Sequence, residues 1–211
     1  MFTQSWSTSE RRYNVIVHRD VKVRMPDGTQ LDGDIFRPDS QEKFPVILGA
    51  HAYNKHLQSP PMLPVGFTPM RRYMESGDST FFARRGYVHA VFNVRGTGIS
   101  EGFYQLMGPQ EVRDVSDLID WLAVQPWSTG AVGMFGVSYF ARLAKAVAAL
   151  GPSALKAIFA PFAGTDDYRH RCYHGGILAH GFISHWRNSL HRPNYRSLYK
   201  EKHGEAAYKE A

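Results

Sequence analysis

The sequence predicts an α/β fold: a mostly parallel sheet with helices on both faces and an antiparallel hairpin at its N-terminal edge. Three observations carry this. Between Pro45 and Ala160, strand-length apolar runs alternate with helix-length stretches in the order β, α, β, α, β, α, β, and parallel strands need such crossovers. Residues 44–50 and 87–94 are largely unbroken apolar runs, as expected of strands buried on both faces. Ahead of them, Val15, Val17, Val21 and Val23 give the two-residue period of a half-buried strand.

Each element has its own warrant. Residues 13–37 read as a hairpin turning at Pro26-Asp27-Gly28, where proline presets φ and glycine supplies a positive one. The return strand, 29–36, is closed by Arg37-Pro38-Asp39. A long Pro-rich loop covers 51–69, a length that usually signals function or mobility. A helix is expected over 71–85, stopped by Gly86. The strand 87–94 runs into the Gly-rich loop 95–102. Val112, Val115, Leu118, Ile119 and Leu122 mark an amphipathic helix over 109–124. A turn at 126–130, a strand at 131–135, a helix at 139–150 and a strand at 155–160 follow. After Pro161 the rhythm is lost. Helices are expected over 177–186 and over 193–211, the latter with Tyr195, Leu198 and Tyr199 on one side.

Composition narrows the function classes. At 211 residues, 43% hydrophobic and 21% charged, the chain is globular rather than disordered or fibrous. The single cysteine, Cys172, excludes an intrachain disulfide and a Cys-rich zinc site. Half of the net charge of +6 falls in the last 31 residues, where Lys and Glu interleave. That pattern is a solvated face, or one meeting an acidic partner, and not a nucleic-acid stripe. The opening MFTQSWSTSERR is polar, and the most apolar stretch, 131–150, holds Arg142 and Lys145. Neither a signal peptide nor a membrane span is expected, so the expected location is cytoplasmic, with no membrane partner.

The sharpest chemical feature is Gly133-Met134-Phe135-Gly136-Val137-Ser138-Tyr139-Phe140-Ala141, where a strand ends and a helix begins. A serine there is lifted on a tight turn above the carboxyl edge of the sheet. Small neighbours, Gly136 and Ala141, relieve the crowding. The first N–H groups of the helix point at the site, and the backbone N–H of Tyr139 becomes an oxyanion donor. Phe140 takes the last glycine position of the strict G-x-S-x-G pattern, and the plainer alternative makes Ser138 only a helix N-cap. The loop Arg95-Gly96-Thr97-Gly98-Ile99-Ser100-Glu101-Gly102 lacks the third glycine and the helix of a dinucleotide site. Its expected role is structural, with Arg95 tied to Asp114 or Asp117. His170 and His174 are four apart without the glutamate of an H-E-x-x-H site, so no metal and no cofactor are expected. Cys172 reads as a packed residue.

Four blocks together resemble the CocE/NonD hydrolases, a group that includes cocaine esterase, α-amino-acid ester hydrolases and Xaa-Pro dipeptidyl-peptidases. They are His51-Ala52-Tyr53-Asn54-Lys55, the stretch from Asn93 through Gly102, the stretch from Asp120 through Ser128, and Gly136-Val137-Ser138-Tyr139. The resemblance covers roughly residues 15–176. It implies an α/β-hydrolase fold and a serine hydrolase of ester, peptide or amide bonds, acting on a small-molecule ester or peptide. It implies Ser138 as nucleophile, with the Tyr53 hydroxyl and the Tyr139 N–H as oxyanion donors. It also implies that 13–163 is the N-terminal part of the hydrolase domain and 164–211 the beginning of a helical cap insertion, leaving the fold incomplete at the C-terminus.

A catalytic serine needs a base, and the base an orienting acid. In this fold the acid and histidine follow the serine, and only 73 residues follow Ser138. His170, His174 and His180, with Asp166 and Asp167, fall where the resemblance places the first cap segment, so the triad acid and histidine are expected beyond Ala211. Three readings stay open: part of a serine hydrolase, inactive as this truncated chain; a non-catalytic binding or regulatory subunit pairing with a longer homologue; a complete small hydrolase with an unorthodox base. A homo-oligomer or a complementing C-terminal chain is the expected partner.

Overall fold

The computed structural model describes residues 7–53, 55, 75–191 and 198–210. Six strands form one sheet in the order β1-β2-β4-β3-β5-β6. β1 (Val15–Arg24) and β2 (Gln30–Pro38) are the expected hairpin, with Gly28 at φ 92° in the turn. β2 pairs antiparallel with β4 (Val88–Asn93). From there β4, β3 (Phe44–His51), β5 (Ser128–Phe135) and β6 (Leu155–Phe159) run parallel. The hairpin thus stands as an antiparallel edge on a parallel sheet, as the sequence predicts.

Side-chain alternation divides the core between the two faces. Ile35, Ala90 and Phe92 join Val46, Leu48, Val132 and Met134 under α2 (Pro109–Ala123) and α3 (Tyr139–Ala148). Phe36 and Val91 point the other way and meet Ala83 of α1 (Ser79–Ala83). Beyond α1 the described residues leave that second face partly uncovered. Pro45, Ile47, Gly133, Phe135, Ala157 and Phe159 line an apolar groove of about 320 Å³. The Phe135 and Phe159 rings stack at 5.4 Å, and Phe159 remains 61% exposed. Among the described residues β3 is therefore closed on one face only, because Pro45 and Ile47 line this groove and stay half-buried.

Three expected elements differ. The helix over 71–85 begins only at Ser79. Gly77 at φ 86° cannot continue a helix backwards, and the Asp78 carboxylate caps the N–H groups of Thr80 and Phe81 at 2.8 and 3.2 Å; residues 71–74 lie outside the described residues. The helix over 177–186 gives way at its start to a two-residue ladder, β7 (Tyr173–His174) with β8 (Ile177–Leu178). Gly175 and Gly176, at φ 61° and 84°, supply the two positive values that a tight hairpin needs. α4 (His180–His185) follows and passes into a wider π-type turn at Trp186–His191. The last helix, α5 (Leu198–Glu210), is broken at Gly204; residues 193–197 lie outside the described residues.

Candidate active site

Ser138 sits between β5 and α3 at φ 58° and ψ −109°. A left-handed φ in a non-glycine residue costs about 1–3 kcal/mol and persists only where its surroundings over-determine it. Here three successive N–H groups are each tied to a different carbonyl: Gly136 to Phe159 at 3.3 Å, Val137 to Glu75 at 2.9 Å, and Ser138 to Pro161 at 3.2 Å. Gly136 has no space for a side chain, since a Cβ would lie 2.2 Å from that of Phe140. Ser138 holds the N-cap position of α3, but its hydroxyl makes no capping hydrogen bond to the helix. It lines a cavity of about 440 Å³ together with Arg142, Phe162, Asp167, His170 and Phe182.

Tyr139 opens α3, so its N–H has no carbonyl partner inside the helix and carries the positive end of the helix dipole. Its ring is fully buried. The phenol donates to the Glu111 carboxylate and lies 3.0 Å from the Tyr104 hydroxyl. Glu111 also accepts the Met107 N–H at 3.0 Å. Burial pushes the Glu111 carboxyl up to about 8 against the effect of those two hydrogen bonds. The side chain of Tyr139 is thus locked to the first turn of α2 while its backbone faces the site.

Tyr53 lies just past β3, and its loop is fastened at three points. Asn93 bridges the main chain, donating to the Tyr53 carbonyl at 2.8 Å and accepting the Lys55 N–H at 3.4 Å. Gly98 makes room for this, because a Cβ there would stand 2.6 Å from the side-chain oxygen Oδ1 of Asn93. Lys55, only 1% exposed, sets its ammonium 2.7 Å from each of Asp20, Asp32 and Asp34. Burial opposes that charge, but the three aspartates outweigh it and the Lys55 pKa is raised. At the third point, the indole N–H of Trp186 donates to the Tyr53 hydroxyl oxygen at 3.3 Å. Burial, with the Glu75 charge, pushes the Tyr53 phenol up to about 12; Trp186 and Arg142 act in the opposite direction. Glu75 has a buried carboxylate oxygen without a hydrogen-bond partner, and burial pushes its carboxyl up to about 7.

The Gly-rich loop has the expected structural role. Arg95 grips Asp114 through two nitrogens at 2.7 and 2.8 Å and also reaches Asp27 at 2.8 Å; of the two expected partners, Asp114 serves and Asp117 does not. His170 and Asp167 border the cavity, but both are engaged locally. The Nδ1 of His170 accepts the N–H groups of Thr165 and Asp166, each at 3.2 Å. Asp167 accepts from Arg142 at 3.1 Å. His174, also on the cavity wall, meets the His170 carbonyl at 2.9 Å. Among the described residues, no histidine is hydrogen-bonded to the Ser138 hydroxyl, and no group of three or more His, Cys, Asp or Glu is placed to hold a metal. Sequence reasoning missed Glu75, Glu111, Arg142 and Trp186. The one local signal it passed over is Leu31-Asp32-Gly33-Asp34-Ile35, where two aspartates on one face of a buried strand demand a cation.

The sequence pattern of the X-Pro dipeptidyl-peptidase (S15) family matches residues 27–209. That span holds the serine turn, the tyrosine loop and the segment after β6. The chain belongs to this family. It is 33% identical over 174 residues to the cocaine esterase of Rhodococcus sp. (strain MB1 Bresler), covering 82% of this chain and 28% of that enzyme. A CocE/NonD family hydrolase from Staphylococcus aureus superposes with a TM-score of 0.77 at 33% identity, over 88% of this chain and 34% of that one. An α-amino acid ester hydrolase gives 0.59 at 26% identity, over 82% of this chain and 29% of that one. The fold of this S15-family chain is that of the α/β-hydrolases, and the chain spans about a third of the length of these relatives. None of its described helices is long and apolar enough to cross a membrane.

Proposed function

We propose that this chain carries the nucleophile and oxyanion hole of a serine hydrolase that cleaves ester or peptide bonds. The observation that supports it most is Ser138 held at a strained φ with an uncommitted hydroxyl facing a cavity. In the proposed reaction the Ser138 oxygen attacks the carbonyl carbon. The Tyr53 O–H and the Tyr139 N–H hold the developing oxyanion, each worth about 3 kcal/mol. A histidine takes the serine proton and returns it to the leaving alcohol or amine, and water then releases the acyl group. His170 and His174 are engaged elsewhere, and this reading, following the family resemblance, assigns the histidine and its orienting acid to sequence outside these 211 residues. Residues 13–163 then form the first part of the hydrolase domain and 164–211 the start of its cap. The bare groove over β5 and β6 is covered by the complementing sequence or by a second copy. No metal or cofactor takes part. The names of the relatives suggest small esters or short peptides as substrates.

A fluorophosphonate probe tests this. The expected result is little labelling of the 211-residue chain, strong labelling once a C-terminal complement of family length is joined or added, and none in Ser138→Ala. Strong labelling of the chain alone, lost in Ser138→Ala, would place the base within it and overturn the external histidine. No labelling of the complemented protein would favour a non-catalytic binding subunit.

A further inference from the structure

The most consequential contact outside the expected machinery joins the segment after β6 to the tyrosine loop: Trp186 donating to Tyr53, across 133 residues. A phenol has one proton and two acceptor directions, while an indole N–H is only a donor. A donor fixed on one side of the Tyr53 oxygen excludes the phenol proton from that side. Accepting a hydrogen bond also polarises the O–H and strengthens it as a donor. Trp186 is itself held, 8% exposed, at the C-terminal end of α4, with the Arg171 guanidinium 5.9 Å from its ring centre. The other groups that act on Tyr53 are Glu75, Arg142 and the ring of Tyr139 at 5.8 Å. Among these, only Trp186 is hydrogen-bonded to the phenol oxygen.

We propose that Trp186 is a positioning residue for the oxyanion hole: its indole N–H turns the Tyr53 hydroxyl proton away from α4 and toward the reacting carbonyl. This rests on Tyr53 being an oxyanion donor. The site is then complete only when the segment carrying α4 is folded over the sheet. Tyr53 is set twice, its backbone by Asn93 and Lys55 and its proton by Trp186.

Two measurements test it on the 211-residue chain, using Trp186→Phe, Tyr53→Phe and the double variant. The first is affinity for phenylboronic acid, whose serine adduct places an anionic oxygen in the hole. Losing one hydrogen bond corresponds to about a tenfold loss of affinity. Trp186→Phe is expected to lose about that much, Tyr53→Phe at least as much, and the double variant no more than Tyr53→Phe alone. Losses that multiply, or a Trp186→Phe chain that binds like the parent while Tyr53→Phe does not, overturn the proposal. A Tyr53→Phe chain that binds like the parent instead removes Tyr53 from the hole. The second measurement needs no adduct. The Tyr53 Cζ resonance is followed with pH, and its titration is expected to move upward in Trp186→Phe; an unmoved titration overturns the proposal even where the parent binds no boronate. If Trp186→Phe fails to fold, a benzothienylalanine at 186 removes the N–H and keeps the ring shape, and the same two outcomes decide.

Discussion

At the carboxyl edge of the sheet buried polar groups gather around Asn93, Lys55 and Arg95, whereas the face over β5 and β6 carries apolar groups left in the open. Asn93 satisfies two backbone groups at once, Lys55 meets three carboxylates, and Arg95 meets two. On the open face Ile47, Phe135 and Phe159 line a groove that no described helix covers. The difference separates two kinds of completeness. Around Ser138 and Tyr53 the main chain is held by specific hydrogen bonds, because an unmet buried polar group is costly, with a Glu75 carboxylate oxygen and the His51 ring nitrogens left as buried exceptions among the described residues. The apolar face leaves no hydrogen bond unmet and only forgoes burial energy, about 25 cal/mol per Å², until more chain or a partner covers it.

The comparison breaks most visibly at Lys55. Lys55→Met leaves buried Asp32 and Asp34 with only the partly exposed Lys22 and Arg19 as counter-charges, and unfolding in urea is expected to show a loss of about 3–5 kcal/mol. The same change at exposed Lys156, beside the open groove, should stay within about 0.5 kcal/mol. Equal effects would mean the edge is no better matched than the open face.

Strain at the serine gives a smaller effect of opposite sign. Ser138→Gly should raise stability by about 1–3 kcal/mol, since glycine accepts a φ of 58° freely. Ser138→Ala keeps the strain and should give no comparable gain. A rise in Tm for glycine alone locates the stored energy in the backbone.

The buried acids sharpen the comparison through pH. Glu111 is pushed up to about 8 in the folded chain, against an ordinary value near 4.3 when unfolded. Between those values the folded state binds more protons, so stability from this group is full below the unfolded value and is lost as pH rises toward 8. Glu75, pushed up to about 7, acts in the same direction, and the buried His51 and His89, lowered to about 3, act oppositely below pH 6.5. Relative to Glu111→Gln, the parent is expected to lose Tm between pH 5 and pH 8. Parallel Tm curves would mean Glu111 is ionised throughout.

The smallest effect is expected on the open face. Phe159→Lys should change stability by less than about 0.5 kcal/mol and should reduce self-association in sedimentation velocity. A large loss of stability would mean that the face is already covered in solution.

Much of this was legible in the sequence because it is local. The two-residue period of the valines gives β1, the helical spacing from Val112 to Leu122 gives α2, and glycine and serine between strand and helix mark the turn at Ser138. The role proposed for Tyr53 was reachable only through the resemblance, since a loop tyrosine has no signature of its own. The partnerships of Glu111 with Tyr139, Lys55 with its aspartates, and Trp186 with Tyr53 were out of reach. They join residues 21 to 133 positions apart, and nothing in either neighbourhood records the other. The helix expected over 177–186 starts three residues late, at His180, because Gly175-Gly176, with two positive φ values, turn the chain back and pair Ile177–Leu178 with Tyr173–His174.

The lysine cluster also bears on how such a protein can be cut and recombined. Two of the three aspartates around Lys55 lie on β2 and the third at the bulge of β1, so the outermost hairpin supplies the counter-charges for the loop that carries Tyr53. A chimaera joined between residues 38 and 44 would look harmless, because it interrupts no strand or helix. It would nevertheless import a lysine without its acids unless both donors carry them at matching positions. The natural unit of exchange runs from β1 through the residue after Asn54, and a breakpoint inside it carries a charge mismatch into the core.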